Sequence, residues 1–315
     1  MPSIDRFDWL ETYVAVANLE SFSRAANYLH CSQSRVSIHI SQLEKSVGHQ
    51  LIDRSKYPIS LTGPGRVFLK HARQIMESLT LATDEMEQLS DTIQGHLIIG
   101  TVPSISAMFL PQLLNVMKKT FPYIRIDISE RTTEKLLTNL LDGSVDIAIR
   151  CDNVLTGTQS SSVSPLWGEP IVAVFPSDHQ LAQTREPLNA TELNQFEVGT
   201  TGAPGIGIDP DMRKQFDQWG VHSLANNYFT EQPQTLLNMA KVGIVVPVIN
   251  LLAFNSCNTN GLTYRVINDD LVARRVFLQW NPAKPFSAAV QACVDEIHSL
   301  PLPQGTVPIT LDLLG

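Results

Sequence analysis

Apolar positions recur along the chain in three successive rhythms. In the first, Phe7, Leu10, Val14 and Ala17 keep helical spacing and predict an amphipathic helix over about residues 5–18. Ser21 is an N-cap for a second, short helix, FSRAANYL, which turns Ala25, Ala26 and Leu29 inward. The small pair Ala25–Ala26 lets another helix cross closely. His30–Cys31 makes a tight connection, Ser32 caps a third helix, and Gly48 stops it after Val47. The buried stripe of that third helix is Val36, Ile40, Leu43 and Val47. Beyond it, HQLIDRSKYPISLTGPG predicts a short extended pair around Tyr57–Pro58, a β-wing.

The second rhythm runs through Phe68, Ala72, Ile75, Leu79, Ala82, Met86 and Leu89, alternating steps of four and three. A strict heptad stripe is the seam of a two-stranded coiled coil, and the alternative is a helix packed on its own domain. The third rhythm starts at Gly95. Short apolar or alternating runs, 96–100, 124–129, 145–149, 171–175, 196–199, 243–248 and 274–280, are separated by helical stretches, one of them from about Ala107 to Lys118. Such alternation predicts βαβ units with a parallel sheet. With 315 residues and 43% hydrophobic composition, the chain has enough apolar material for more than one core.

Charge changes the picture of the first rhythm. The net charge is −8, yet residues 1–75 carry nine Lys/Arg against six Asp/Glu, so this segment is +3 and the rest −11. Only the N-terminal segment suits a polyanion. The outer stripe of the third helix is Ser34, Ser37, Ile38, Ser41 and Lys45. Short hydroxyl groups beside one isoleucine fit base edges and a thymine methyl in a major groove. Taken alone, they fit a low-charge protein contact face equally well. Arg24, Arg35, Arg54, Lys56 and Arg66 lie around this stripe rather than on it, as phosphate contacts surround a reading surface, and this tilts the balance toward DNA.

The run SFSRAANYLHCSQSRVSIHISQLEKSVGHQLIDRS…ISLTGPG resembles the winged helix-turn-helix of LysR-type transcriptional regulators. The matching positions are Ala25–Ala26, Ser32–Gln33, Val36–Ser37, Leu43–Glu44, Val47–Gly48, Leu51–Ile52–Asp53–Arg54 and Leu61–Thr62 with Gly65. Departures are Ser23 for the usual Thr, Ile52 for Phe, and Ile38–His39 for Arg-Gln, the last altering a base-facing position. GHLIIG, LPQLL, FPYIRIDI, LLDGSVDIAI and MAKVGIVVP resemble the effector region of that family, although Lys241 stands where Gly is frequent. The resemblance implies an α + α/β chain: an N-terminal winged helix-turn-helix (1–65), a long dimerising linker helix (66–91) and a two-lobed α/β effector domain of periplasmic-binding-protein type (92–302). Lobe I covers about 95–165 and 266–302, lobe II about 166–265, and 303–315 is a tail outside the resemblance. It also implies that Gln33, Ser34, Ser37 and Ile38 face bases, that Arg24, Arg35, Arg54 and Lys56 hold phosphates, and that chains dimerise and tetramerise on a pseudo-palindromic DNA duplex, with RNA polymerase a possible further partner.

In open α/β sheets ligands sit beyond the carboxyl ends of strands. That rule nominates Thr101, Ser104, Ser106, Thr132, Arg150, Thr200 and Thr201 for a small-molecule effector, although for Arg150 a salt bridge with a neighbour such as Asp152 or Glu130 is slightly favoured over ligand contact. No dinucleotide or phosphate-loop motif, nucleophile elbow or zinc-protease motif occurs, so no enzyme activity, cofactor or metal is expected. A solute-binding module, a cleft enzyme and a scaffold without effector are the rival readings. Some LysR relatives sense peroxide with two close cysteines in the second lobe, whereas only Cys257 lies in that stretch here. Four scattered cysteines, an acidic N-terminus and no long apolar run point to a cytoplasmic protein without membrane contact.

Overall fold

A computed structural model describes residues 7–87, 92–151, 163–184, 186–203, 207–222 and 228–310. The chain divides into two compact units, one built on residues 1–93 with 141–144 and the other on 94–140 with 145–315.

The first unit holds α1 (Phe7–Leu19), α2 (Phe22–Tyr28), α3 (Gln33–Val47), β1 (Ile52–Asp53), β2 (Ser60–Leu61) and α4 (Gly63–Glu87). The expected caps are in place. Ser21 accepts from the Arg24 amide, Ser32 from the Arg35 amide, and Gly48 closes α3 at φ 75°. β1 and β2 pair antiparallel as the wing. Leu10, Tyr13, Val16, Ala25, Ala26, Val36, Ile40, Leu43, Leu51 and Ile52 form one core. Glu44 joins helix to wing, accepting the Leu51 and Ile52 amides at 2.8 and 3.0 Å. A Cβ on Gly65 would stand 2.1 Å from the Leu51 carbonyl oxygen, so only glycine lets α4 start here.

The heptad seam needs correction at its beginning. Ala72 is fully buried and Phe68 packs edge-on to Tyr13, with 5.5 Å between ring centroids, so both belong to the core of their own domain. Helical periodicity is the same for either use, which is why spacing did not separate them. Ile75 and Leu79 stay about half exposed and Ala82 is exposed. The side chain of Met86, and Leu89 altogether, lie outside the described residues.

The second unit has two lobes. Lobe I contributes β3 (Gly95–Thr101), α5 (Pro103–Met108), α6 (Leu110–Thr120), β4 (Ile124–Glu130), α7 (Thr133–Leu141), β5 (Ile147–Cys151) and β6 (Val163–Glu169). Lobe II follows with β7 (Ile171–Pro176), β8 (Val198–Ala203), β9 (Gly207–Ile208), α8 (Pro210–Trp219), β10 (Tyr228–Thr230), α9 (Pro233–Lys241), β11 (Val246–Asn250), α10 (Leu251–Asn255) and β12 (Leu262–Val266). The chain then returns to lobe I for β13 (Arg274–Trp280), α11 (Ala288–Ser299) and β14 (Val307–Pro308). The sheets run β14-β6-β13-β5-β3-β4 and β10-β8-β11-β7-β12.

Both sheets are mixed rather than parallel throughout. β3 pairs parallel with β4 and β5, while β13 runs antiparallel to β5 and β6, and β7 antiparallel to β11 and β12. Three boundaries move from their expected places. The helix expected from Ala107 begins at Pro103, which supplies a favourable first helical position, and it breaks into α5 and α6 at Phe109. β6 carries lobe I to Glu169. Pro165, which argues against a strand, is tolerated where the β6–β13 register shifts. The tail is part of lobe I, since β14 pairs with β6 at Gly168 and Trp167 and Ile309 is buried. Despite Lys241, the turn after α9 forms as in other glycine turns, because Gly243 supplies φ 74°.

Candidate nucleic-acid interface and lobe junction

On α3, Ser34, Ile38, Ser41 and Lys45 form an exposed face with Ser37 half-buried at its edge, and Ile38 keeps 58% of its surface open. Gln33 is exposed, and its side-chain oxygen accepts from Ser23 of α2 at 3.0 Å, so the first residue of the face is held in place. His39 differs from expectation. It turns inward, nearly buried, beside Thr12 of α1, so of the Ile38–His39 pair only Ile38 reaches the outer face.

The basic rim divides into well-exposed members and one that packs across the domain. Arg24 and Arg35 are exposed at the starts of α2 and α3, and Lys56 on the wing is exposed 3.7 Å from Asp53. Arg54 is a correction: its guanidinium is 3.3 Å from Glu44 and lies over the Phe22 ring, 5.2 Å from the centroid. It braces wing, α2 and α3, a position that an arginine's planar charge and long stem fit.

In the second unit the expected cleft residues behave in three ways. Ser106 and Thr201 are half-exposed and Thr132 is exposed, so these residues are accessible. Thr101 and Thr200 are buried, and Thr200 donates to the Val248 carbonyl at 2.7 Å, so Thr200 is a sheet-internal group rather than a ligand contact. Arg150 is also corrected. It is 4% exposed, donates to Gln279 on β13 and donates to the Thr133 carbonyl at 2.9 Å, tying β5 to the start of α7. Asp152, its expected ion partner, lies outside the described residues.

The group that sequence reasoning missed is the charge cluster at the lobe junction. Glu169, fully buried where β6 leaves lobe I, pairs with Arg274 where β13 re-enters it. The other Glu169 oxygen accepts from Asn250 Nδ2 at 3.1 Å and from the Leu252 amide at the start of α10 at 3.0 Å. Arg274 also reaches Ser104 Oγ on α5 at 3.4 Å. A buried carboxylate is tolerable only with this degree of satisfaction. Both crossings between the lobes, α5 and α10 thus meet at one ion pair. Nothing in RRVFLQW or LWGEP distinguishes these two charges from surface ones.

Nearby, burial pushes the Cys151 thiol up to about 12, and that of Cys293 in the same core likewise to about 12. Burial also raises Cys257. Such thiols are poor nucleophiles. Among the described residues no group of three His, Cys, Asp or Glu gathers as a metal site, and no helix is long and apolar enough to cross a membrane.

Residues 7–66 match the family described as bacterial regulatory helix-turn-helix protein, lysR family, and residues 90–300 match the LysR substrate binding domain. The chain belongs to the LysR family. As a LysR-type transcriptional regulator it joins a DNA-binding helix-turn-helix to an effector-binding domain. Among relatives, a hydrogen peroxide-inducible genes activator of Pectobacterium carotovorum is 30% identical over 290 residues, covering 92% of this chain and 94% of the relative. The Hca operon transcriptional activator HcaR of Escherichia coli is 28% identical, over 86% of this chain and 90% of its own. Among solved structures, a full-length OxyR variant from Pseudomonas aeruginosa superposes with a TM-score of 0.72 at 21% identity, covering 97% of this chain and 98% of that one. Full-length CbnR in complex with its target DNA gives 0.63 at 18% identity, covering 93% and 99%. These two establish likeness of fold. The LysR-type winged domain and two-lobed domain are therefore as expected from the sequence.

Proposed function

We propose that this LysR-type regulator grips a pseudo-palindromic DNA duplex as a homodimer, and as a homotetramer of two such dimers, and that a small molecule held between lobes I and II alters its DNA binding or promoter activity. The observation carrying the DNA part is the α3 face: short polar groups and Ile38 exposed together, framed by exposed Arg24, Arg35 and Lys56. Ser34, Ser37, Ile38 and Gln33 read bases, while the framing cations neutralise phosphates. Ile75, Leu79 and Ala82, left open on α4, form the described part of the dimer seam, and two reading helices on a two-fold axis then dictate two half-sites.

The effector is a small molecule without a resident cofactor or metal, and it is bound rather than turned over. Ser106 of α5, Thr132 after β4 and Thr201 of β8 supply accessible polar residues, and Ser104 of α5 accepts from Arg274 of the Arg274–Glu169 pair. A ligand preferring one lobe arrangement shifts the populations of DNA-bound shapes by its differential affinity. The burial of Cys151 and Cys293 favours recognition of a ligand over oxidation of a thiol pair, although several relatives are named for peroxide induction. The protein acts in the cytoplasm, beside DNA and RNA polymerase.

Selection of genomic fragments by the full chain, followed by footprinting, tests this reading. A protected pseudo-palindrome is the expected result, and no enrichment over mixed-sequence DNA at moderate salt would refute it. Ile38→Ala is expected to weaken the selected site by about 1 kcal/mol while leaving mixed-sequence DNA nearly unchanged.

A further inference from the structure

Thr12, Asp8, His39 and Arg35 form a hydrogen-bond relay across the α1–α3 contact, and it runs from the core to the rim of the reading face. The Thr12 hydroxyl donates to the Asp8 carbonyl at 2.7 Å, one turn earlier in α1. A hydroxyl has one proton, so at its 2.8 Å contact with His39 Nδ1 the Thr12 oxygen is the acceptor and the imidazole is the donor. Nδ1 therefore carries a hydrogen, and in the neutral ring Nε2 presents a lone pair. Arg35 Nε–H points at that lone pair at 3.5 Å. The Asp8 carboxylate lies alongside, 3.7 Å from His39 Nε2 and 4.0 Å from Arg35 Nη2. The histidine is nearly buried, whereas the arginine side chain keeps 61% of its surface open.

We propose that His39 is a positioning residue for DNA binding: fixed by Thr12 as the Nδ1–H tautomer, it holds the Arg35 guanidinium by Nε so that the Nη groups face a DNA phosphate at the start of the reading helix. The inference rests on the reading of Arg35 as a phosphate contact. A free arginine on a surface samples many rotamers, and ordering it on binding weakens the complex. A partner that orders it beforehand removes that penalty. Ser32 caps the same turn of α3 through the Arg35 amide, so both the main chain and the side chain of Arg35 are set before DNA arrives.

The isosteres of the two ring nitrogens separate this role from simple packing. Asn places its amide near the Nδ1 position and keeps a Thr12 contact, but offers Arg35 no acceptor. Gln reaches the Nε2 position and offers one. The probe is a mixed-sequence DNA duplex, because a phosphate contact is blind to sequence. With the full chain, Arg35→Ala is expected to weaken binding and to lower the salt slope by about one unit. His39→Asn should weaken binding about 2- to 12-fold, the range for freeing one long side chain. His39→Gln should restore wild-type affinity. Thr12→Val, which removes the acceptor that fixes the tautomer, should resemble His39→Asn and serves if that variant is poorly folded.

The double variant decides the matter. In an Arg35→Ala background, His39→Asn and Thr12→Val should have no further effect. Equal losses in both backgrounds, or a His39→Gln variant as weak as His39→Asn, would overturn the proposal and leave His39 as a packing residue. If Arg35→Ala leaves both affinity and salt slope unchanged, the phosphate reading of Arg35 fails and the proposal fails with it. A normal Arg35→Ala loss with silent His39 and Thr12 variants defeats the positioning role alone.

Discussion

Lobe I and lobe II are two executions of one half-unit. In lobe I a Cβ on Gly100 of β3 would meet Leu136 of α7 and Val145 before β5. In lobe II a Cβ on Gly199 of β8 would meet Leu236 of α9 and Val245 before β11. The turns that lead from helix to strand both use a glycine at φ 74°, Gly143 and Gly243. Each first strand carries a threonine that is nearly inaccessible, Thr101 or Thr200. What differs is charge. Lobe I has Asp146 at the entry to β5, accepting the Ile98 amide and Lys284 Nζ, both at 2.7 Å, and it has Arg150 bracing α7. At the entry to β11 lobe II has Val246 instead, and Asn250 at the end of that strand donates across to Glu169 of lobe I. Among the described residues the same backbone is thus held by charged side chains in lobe I and by apolar contact in lobe II, where Asn250 reaches across to a carboxylate of its neighbour.

The largest expected effect comes from breaking that shared link. Glu169→Ala leaves Arg274 without its carboxylate and the start of α10 without its acceptor, and should cost about 3–5 kcal/mol in urea unfolding of the full chain. Glu169→Leu combined with Arg274→Met should recover most of the loss. If the double variant is as unstable as the single one, the pair is more than a compensated burial. A smaller effect compares the two glycines. Gly100→Ala brings side-chain atoms to 2.8 Å and should cost about 1–3 kcal/mol, whereas Gly199→Ala meets its nearest neighbours at 3.1 Å and should cost less. The opposite order in thermal denaturation would show that lobe II is the tighter half.

The smallest effect concerns thiols and pH. With a disulfide reagent near neutral pH, Cys257 in lobe II, partly exposed, should label in the native protein. Cys151 and Cys293 in lobe I should label only on unfolding. Burial holds these two protonated to about 12 in the folded chain against 9.0 when free. Their contribution is therefore full below about pH 9 and is lost as pH rises toward 12. Alkaline denaturation should begin later in a Cys151→Ala, Cys293→Ala variant, and an unchanged profile would contradict the assignment.

How far the sequence anticipated this molecule depended on whether a signal was local. Caps at Ser21 and Ser32, the stop at Gly48 and the apolar runs of β3, β5, β7 and β13 depend on neighbouring residues, and they were legible. The inward turn of His39 depends on Thr12, twenty-seven positions earlier, so the helical wheel alone left it beside Ile38. Phe68 and Ala72 satisfy one periodicity with two possible partners, and only the position of Tyr13 chooses between them. Arg150 and Arg274 are both arginines at strand ends. Their roles are set by Gln279 and Glu169, each more than a hundred residues away in sequence. β14 was invisible because a two-residue strand has no period to read.

That last strand bears on how the chain comes into being. Lobe II is a single stretch whose β7–β12 strands all emerge consecutively during synthesis. Lobe I is split, and its sheet lacks β13 and β14 until the segment that follows lobe II has left the ribosome. A nascent chain halted before Val307 would therefore carry a finished reading unit and a closed lobe II beside an open β6 edge. That edge is an unpaired template, and newly made chains are most exposed to aggregation through it until Val307 and Pro308 arrive to cover it.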